Sequence, residues 1–189
     1  DLEKLNNDER NQKIIRELSS HKDQYRKVII YVGTKKHAED LYKLLIATPL
    51  KAEYESISFI VGDRNSRKQS REEYVKTEQE YKRSILVNVQ VLSEGYDDPT
   101  VNTVIMAAPS RSKLYYMQAM GRAVRIDPND FLKKAYVVEV VDNLPNIRYR
   151  IDNRWLYSDI SDALEPEVKD ITYSREQEFI DSLEKIYTN

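Results

Sequence analysis

The sequence contains no cysteine. That excludes disulfides, thiolate-ligated zinc and a thiol nucleophile. Histidine is nearly absent too: His21 and His37 are the only two, too few to found a histidine-built metal centre. There are four glycines, Gly33, Gly62, Gly95 and Gly121, and their spacing makes no Gly-x-x-x-x-Gly-Lys-Ser/Thr phosphate-binding loop. Long apolar runs are missing as well. The longest, such as 28–32, extend about five residues, against the roughly 20 that a membrane-spanning helix requires. The opening DLEKLNNDER is charged throughout, unlike a signal peptide, and carries no initiator Met. A soluble, cytoplasmic domain cut from a longer polypeptide, with no membrane partner, is the expectation.

The 189 residues suit one α/β domain with a small appendage. A formal net charge of -2 excludes a globally basic nucleic-acid binder but permits a local basic surface. The charge is uneven. Residues 151–189 carry ten acids and four bases, and residues 1–150 carry 22 acids and 26 bases. That shift marks a boundary. The expected division is a leading helix or linker over 1–24, a main domain over 25–142 and a C-terminal extension over 143–189.

Five apolar runs, at 28–32, 57–61, 85–89, 104–108 and 136–141, are rich in β-branched residues and nearly continuous. Such runs fit strands buried on both faces. Helical patterns alternate with them. Ala38, Leu41, Tyr42 and Leu45 share one face of 35–46, residues 66–80 are mostly charged and free of Gly and Pro, and 111–125 is helical by period. Ile14, Ile15 and Leu18 predict a leading amphipathic helix. Strands alternating with helices give an α/β fold, a parallel sheet covered on both faces. In the acidic extension, Ser174 and Gln177 have capping-box spacing, and Phe179, Ile180, Leu183, Ile186 and Tyr187 make one apolar helix face.

Two segments carry chemistry. In 118–125, a helical wheel places Gln118, Arg122 and Arg125 in one arc, with Met117, Met120 and Val124 opposite. The wheel predicts that the apolar side is buried and that two guanidiniums are presented outward. Their planar donor forks suit a polyanion such as a triphosphate; a solvated face with salt-bridged arginines is the plainer alternative. Gly121 beside that arc leaves room for a close approach. In 91–99, Gly95 permits a tight turn after the third strand, at the carboxyl end where parallel sheets bind ligands. There Asp97 would accept from a ribose hydroxyl, or serve as a turn residue before Asp98-Pro99.

Together the two segments resemble motifs V and VI in the second RecA-like lobe of superfamily 2 helicases and translocases. Leu92, Gly95, Asp97 and Pro99 match Leu-x-x-Gly-x-Asp-x-Pro. Gln118, Gly121, Arg122 and Arg125 match Gln-x-x-Gly-Arg-x-x-Arg. The stretch 28–34 resembles motif IV and 61–63 the turn of motif IVa, so the resemblance covers roughly residues 25–142. DEAD-box proteins usually carry Arg, Thr and His where Glu94, Val89 and Gln118 stand. The sequence therefore looks more like the motors of restriction enzymes and DNA-repair helicases, and any threonine–phosphate contact at position 89 is lost.

The resemblance implies a RecA-like fold and a place as the C-terminal half of an ATP-driven motor. ATP with Mg2+ would lie between this lobe and an N-terminal RecA-like lobe of the same polypeptide, which would hold the phosphate loop, the acidic Walker B signature and the metal. This chain alone would then be inactive. Arg122 and Arg125 would act as arginine fingers, with Gly95, Asp97, Gln118 and Gly121 lining the nucleotide. Nucleic acid, DNA rather than RNA, would meet Gly33, Thr34, Lys35, Gly62, Arg67, Lys68, Arg71 and Asn88. A non-catalytic nucleic-acid-binding or scaffold module on the same fold is the alternative.

Overall fold

The five apolar runs become the five strands of a single parallel sheet in the computed structural model, which describes residues 2–61, 82–89, 97–109 and 112–140. They are β1 Lys27–Tyr31, β2 Ser56–Val61, β3 Ser84–Val89, β4 Thr103–Met106 and β5 Tyr136–Glu139. Their order is β2-β3-β1-β4-β5, and every neighbouring pair is parallel. β1 lies at the centre and is buried along its whole length.

Strand side chains alternate between faces. Val28, Ile30, Ile57, Ile85, Val87 and Ile105 point to one face and form a single core with two helices. Helix α1, Asp8–Ser20, contributes Ile14, Ile15 and Leu18; α2, Lys35–Ile46, contributes Ala38, Leu41 and Leu45. A short α3, Leu50–Glu53, leads into β2. Ile29, Tyr31, Leu86, Val104 and Met106 have the opposite parity and are also buried. They are covered by α4, Lys113–Val124, whose Tyr115 ring meets the Tyr31 ring edge-on at 5.9 Å.

Helix starts follow local capping chemistry. Asn7 accepts from the Arg10 N–H at 3.0 Å, Thr34 from the His37 N–H at 3.1 Å and Ser112 from the Tyr115 N–H at 3.2 Å. Asp8 and Glu9 complement the positive end of α1. α1 is more than a linker: Ile14 and Leu18 are fully buried in the core shared with the sheet. The expected helices at 66–80 and 174–187 lie outside the described residues.

Helix α4 corrects the wheel. Met117 and Val124 are more than half exposed, and Met120 is half-buried. The buried stripe is instead Tyr116, Ala119 and Ala123, with Arg122 at its margin. Two alanines let the helix backbone approach the sheet closely, and that contact outweighs the larger apolar side chains on the other side.

Candidate functional site

A parallel strand pair requires the chain to cross back before the second strand begins. Asp97 and Asp98 precede Thr103 by only a few residues, so they belong to the amino end of β4. The expectation that Asp97 borders the carboxyl ends is overturned. Asp98 is 3 % exposed and its Oδ2 accepts from Lys27 Nζ at 2.6 Å, at the first residue of β1. Its Oδ1 accepts from Thr100 N at 2.9 Å and Thr100 Oγ1 at 2.6 Å. Asn102 then joins the starts of β4 and β1. Its Oδ1 accepts from the N–H groups of Arg26 and Lys27 at 2.9 and 3.1 Å, and its Nδ2 donates to Gln24 O at 2.8 Å. From the loop before β5, Lys133 Nζ donates to Pro99 O at 2.6 Å and Val101 O at 2.9 Å.

Asp97 stands at the rim of this scaffold. Its carboxylate pairs with the guanidinium of Arg125, and both groups are well exposed. Arg125 is not a helical residue, as the wheel assumed. It is the C-cap of α4, with extended backbone. The structure therefore brings together the aspartate and the second arginine of the two motifs. It does not present Arg122 in the same way. Arg122 is only 8 % exposed, and its guanidinium lies near the Tyr31 hydroxyl. Burial pushes the Tyr31 phenol up, the neighbouring Tyr115 adds to that, and Arg122 opposes it. Gln118 is half-buried, and a Cβ added at Gly121 would meet nothing within 4 Å.

The opposite, carboxyl edge holds the expected strand-binding residues. Gly33 and Thr34 follow β1, and Lys35 and Lys36 open α2 with exposed side chains. Thr34 spends its hydroxyl oxygen on the α2 cap. A Cβ on Gly33 would lie 3.3 Å from Leu2 and 3.6 Å from Ala108, so the chain's own first turn packs over this glycine. Asn88 is corrected from surface contact to packing residue: its side chain is fully buried, and its carbonyl accepts from the Val32 N–H at 3.0 Å. Gly62, Arg67, Lys68, Arg71 and Gly95 lie outside the described residues.

Sequence reasoning missed a buried polar cluster at this edge. Arg10 of α1 is 2 % exposed. It donates through Nε and Nη2 to Ala107 O, at 2.9 and 2.5 Å, and through Nη2 to Val140 O at 2.9 Å. It thereby ties the ends of β4 and β5. His37 Nε2 donates to Asn11 Oδ1 at 2.9 Å, Asn11 Nδ2 to Asn6 Oδ1 at 3.2 Å, and Asn6 Nδ2 to Asp40 Oδ2 at 2.8 Å. Burial, then the Arg10 charge, lower the His37 imidazole to about 4, against a smaller opposing effect of Asp40. The N-cap pattern at Asn7 is legible in the sequence, but nothing local signals partners so distant in the chain.

The parallel sheet and its covering helices have known counterparts. The helicase conserved C-terminal domain family matches residues 9–127. The chain belongs to that family. Over 111 residues it is 31% identical to a protein named as an ATP-dependent RNA helicase in Methanocaldococcus jannaschii, covering 57% of this chain and 14% of that protein. Among solved structures it resembles domain 2 of the DEAD-box helicase Mss116p bound to an RNA duplex. There the TM-score is 0.55 at 20% identity, covering 95% of this chain and 63% of that one. It also resembles a fragment of an HsdR subunit of a type I restriction enzyme from Vibrio vulnificus, with a TM-score of 0.57 at 19% identity, covering 69% of this chain and 26% of that one. The RecA-like fold of superfamily 2 C-terminal lobes is thus the fold of this helicase-family chain. No helix among the described residues is long and apolar enough to cross a membrane.

Proposed function

We propose that this chain is the second motor lobe of an ATP-dependent nucleic-acid helicase or translocase. The observation that carries the reading is the meeting of Asp97 and Arg125, 28 positions apart in sequence, on one exposed rim. A carboxylate there suits ribose hydroxyls. A guanidinium beside it suits phosphate oxygens, and more so as their charge grows in the transition state. Arg125 is the guanidinium able to reach across to a nucleotide. Arg122, on the sheet side of α4, would add a second positive charge, and Gln118, Gly121 and Gly95 complete the nucleotide-facing set.

Carboxylates of an N-terminal lobe would hold magnesium, which would supply positive charge beside the phosphates. This chain's residues bind the sugar, orient the terminal phosphate and keep a fixed positive charge beside it. On the carboxyl edge, Gly33, Thr34 and Lys35, with Gly62, Arg67, Lys68 and Arg71, would grip a strand backbone. Cycles of cleft closure would then move this grip relative to that of the other lobe. Glu94 and Gln118 favour DNA over RNA by their likeness to restriction-enzyme and repair motors.

The test is Arg125→Lys beside Arg125→Ala in the full-length protein. Lysine keeps the charge but loses the planar fork. Both variants should lose turnover by roughly 10³-fold, with nucleotide Kd and nucleotide-free nucleic-acid affinity changing far less. Wild-type turnover in either variant would make Arg125 a surface salt-bridge partner and end the catalytic reading. Stimulation of the wild-type ATPase by single-stranded DNA, duplex DNA and RNA, measured in parallel, decides the polymer.

A further inference from the structure

We infer that the buried Lys27–Asp98 ion pair is a positioning device that holds Asp97 where Arg125 can meet it. The inference rests on the functional reading above for its consequence, but not for its geometry.

A carboxylate and an ammonium with side chains 3% and 2% exposed are an expensive way to fill space. Desolvating both ions costs several kcal/mol each, and well-packed apolar side chains of similar volume usually serve stability as well or better. What the pair provides beyond stability is direction. Lys27 opens the central strand, so its ammonium projects from the most constrained backbone in the sheet. Asp98 has both carboxylate oxygens engaged, one on Lys27 and the other on Thr100 N and Oγ1. Such a side chain is held in one orientation, and its bond to Thr100 N holds the backbone on its C-terminal side as well. Lys133 grips the next carbonyls, at Pro99 and Val101, and Asn102 ties the end of the segment to β1.

Asp97 is the neighbour of this clamped residue. Its own side chain has only two torsions, so the location of its carboxylate is set largely by the backbone at 97–98. The partner is fixed from the other side: Arg125 directly follows α4, which is seated by Tyr116, Ala119 and Ala123. Two exposed, flexible ions on independent loops would be worth little as a pair. Here both are mounted on rigid supports, and the aspartate's support is the buried pair. Lys27 and Asp98 touch no substrate in this scheme; they act through Asp97.

The experiment compares Lys27→Met, Asp98→Leu and the double variant in the full-length protein, with Thr100→Val as a milder probe. Each single variant strands a buried charge and should lower the thermal midpoint by on the order of 10 °C. The double variant removes both charges and should recover most of that loss. Its turnover should nevertheless stay down by about 10-fold or more, the order expected when a reacting group shifts by an ångström. Thr100→Val removes one hydroxyl from Asp98 and should lower turnover about two- to three-fold, with a drop in midpoint smaller than that of either single variant. A crystal structure of the double variant should show Asp97 and Arg125 apart. Should the double variant fail to fold, a crystal structure of Thr100→Val should show the pair loosened.

A double variant with restored midpoint, an intact Asp97–Arg125 pair and wild-type turnover would overturn the inference. So would Thr100→Val at wild-type turnover with the pair unchanged. Failure of the functional reading looks different: Arg125→Ala would turn over normally, while the pair in the variant crystals would still separate.

Discussion

The two edges of the sheet are built in opposite ways. At the carboxyl edge, where parallel sheets ordinarily open a ligand crevice, the gap between β1 and β4 is filled by the chain itself. Leu2 lies over Gly33, and Arg10 occupies the carbonyls at the ends of β4 and β5. Among the described residues, Lys35 and Lys36 on the first turn of α2 put exposed positive charge there. At the amino edge the polar scaffold is equally buried, but it carries an exposed carboxylate and guanidinium at its rim. A crevice covered by the chain's own first turn and helix offers a surface to a backbone running past. The amino edge has the paired charges a nucleotide would need. On the proposed reading the carboxyl edge would be track-facing and the amino edge fuel-facing, and breaking each separately tests that division.

The largest expected effect comes from Arg10→Ala. Truncation leaves the buried Ala107 carbonyl without the donors it accepts from and opens a gap under α1. A loss of about 3 kcal/mol or more in unfolding free energy follows. Equilibrium denaturation should report it. The damage should be confined to the carboxyl edge: in a variant still folded under assay conditions, nucleotide Kd should hold. A nucleotide defect as large as the loss of nucleic-acid binding would mean the two edges are one coupled unit.

His37 gives a second handle on the carboxyl edge. Its folded-state value is about 4, against 6.5 for an unhindered imidazole. The unfolded chain therefore takes up a proton between those values while the folded one does not. This contribution to stability is fully present above about 6.5, is lost as pH falls towards 4 and loses nothing more below that. An NMR titration should find the imidazole neutral to near pH 4. In Arg10→Gln the nearby positive charge is gone, and the titration should move upward. A His37 titrating near 6.5 would show that α1 does not seal this edge.

How much of this was legible in the sequence follows from what each feature depends on. The strands were legible because burial on both faces writes nearly continuous β-branched runs, and each of the five sits within two residues of its expected bounds. The joint spacing of Gly95, Asp97, Gln118, Gly121, Arg122 and Arg125 was enough for the family. The orientation of α4 was misread because a wheel weighs hydrophobicity, whereas packing here rewards small size at Ala119 and Ala123. Arg122 could join that buried side because its aliphatic stem packs while its head finds polar company. The Lys27–Asp98 and Arg10–Val140 contacts join residues 71 and 130 positions apart. Only the fold brings such partners together.

A third, smaller effect tests the track-facing edge directly. Replacing Lys35 and Lys36 by Gln removes two exposed charges from the start of α2, where backbone N–H groups also favour phosphate. Each phosphate that is no longer neutralised should reduce the salt slope of binding by about 1. The variant should therefore bind nucleic acid several-fold more weakly at low salt with a flatter dependence, and its nucleic-acid-free nucleotide affinity should not move. An unchanged slope would make these lysines solvated surface residues and transfer the whole track to other positions.

The smallest expected effect is at Gly121, and it separates two uses of one glycine. Gly121 lies inside α4, where glycine weakens a helix by roughly 0.5–1 kcal/mol relative to alanine. A Cβ there meets nothing within 4 Å among the described residues, which give no reason to exclude alanine. Gly121→Ala should accordingly raise unfolding free energy by up to about 1 kcal/mol. If the glycine serves a close approach from the fuel-facing side, the same substitution in the full-length motor should lower turnover while the domain becomes more stable. Those two changes of opposite sign would place a contact surface over Gly121 that the lobe itself does not supply. A variant both more stable and fully active would mean the fuel-facing surface ends at Arg125 and Asp97.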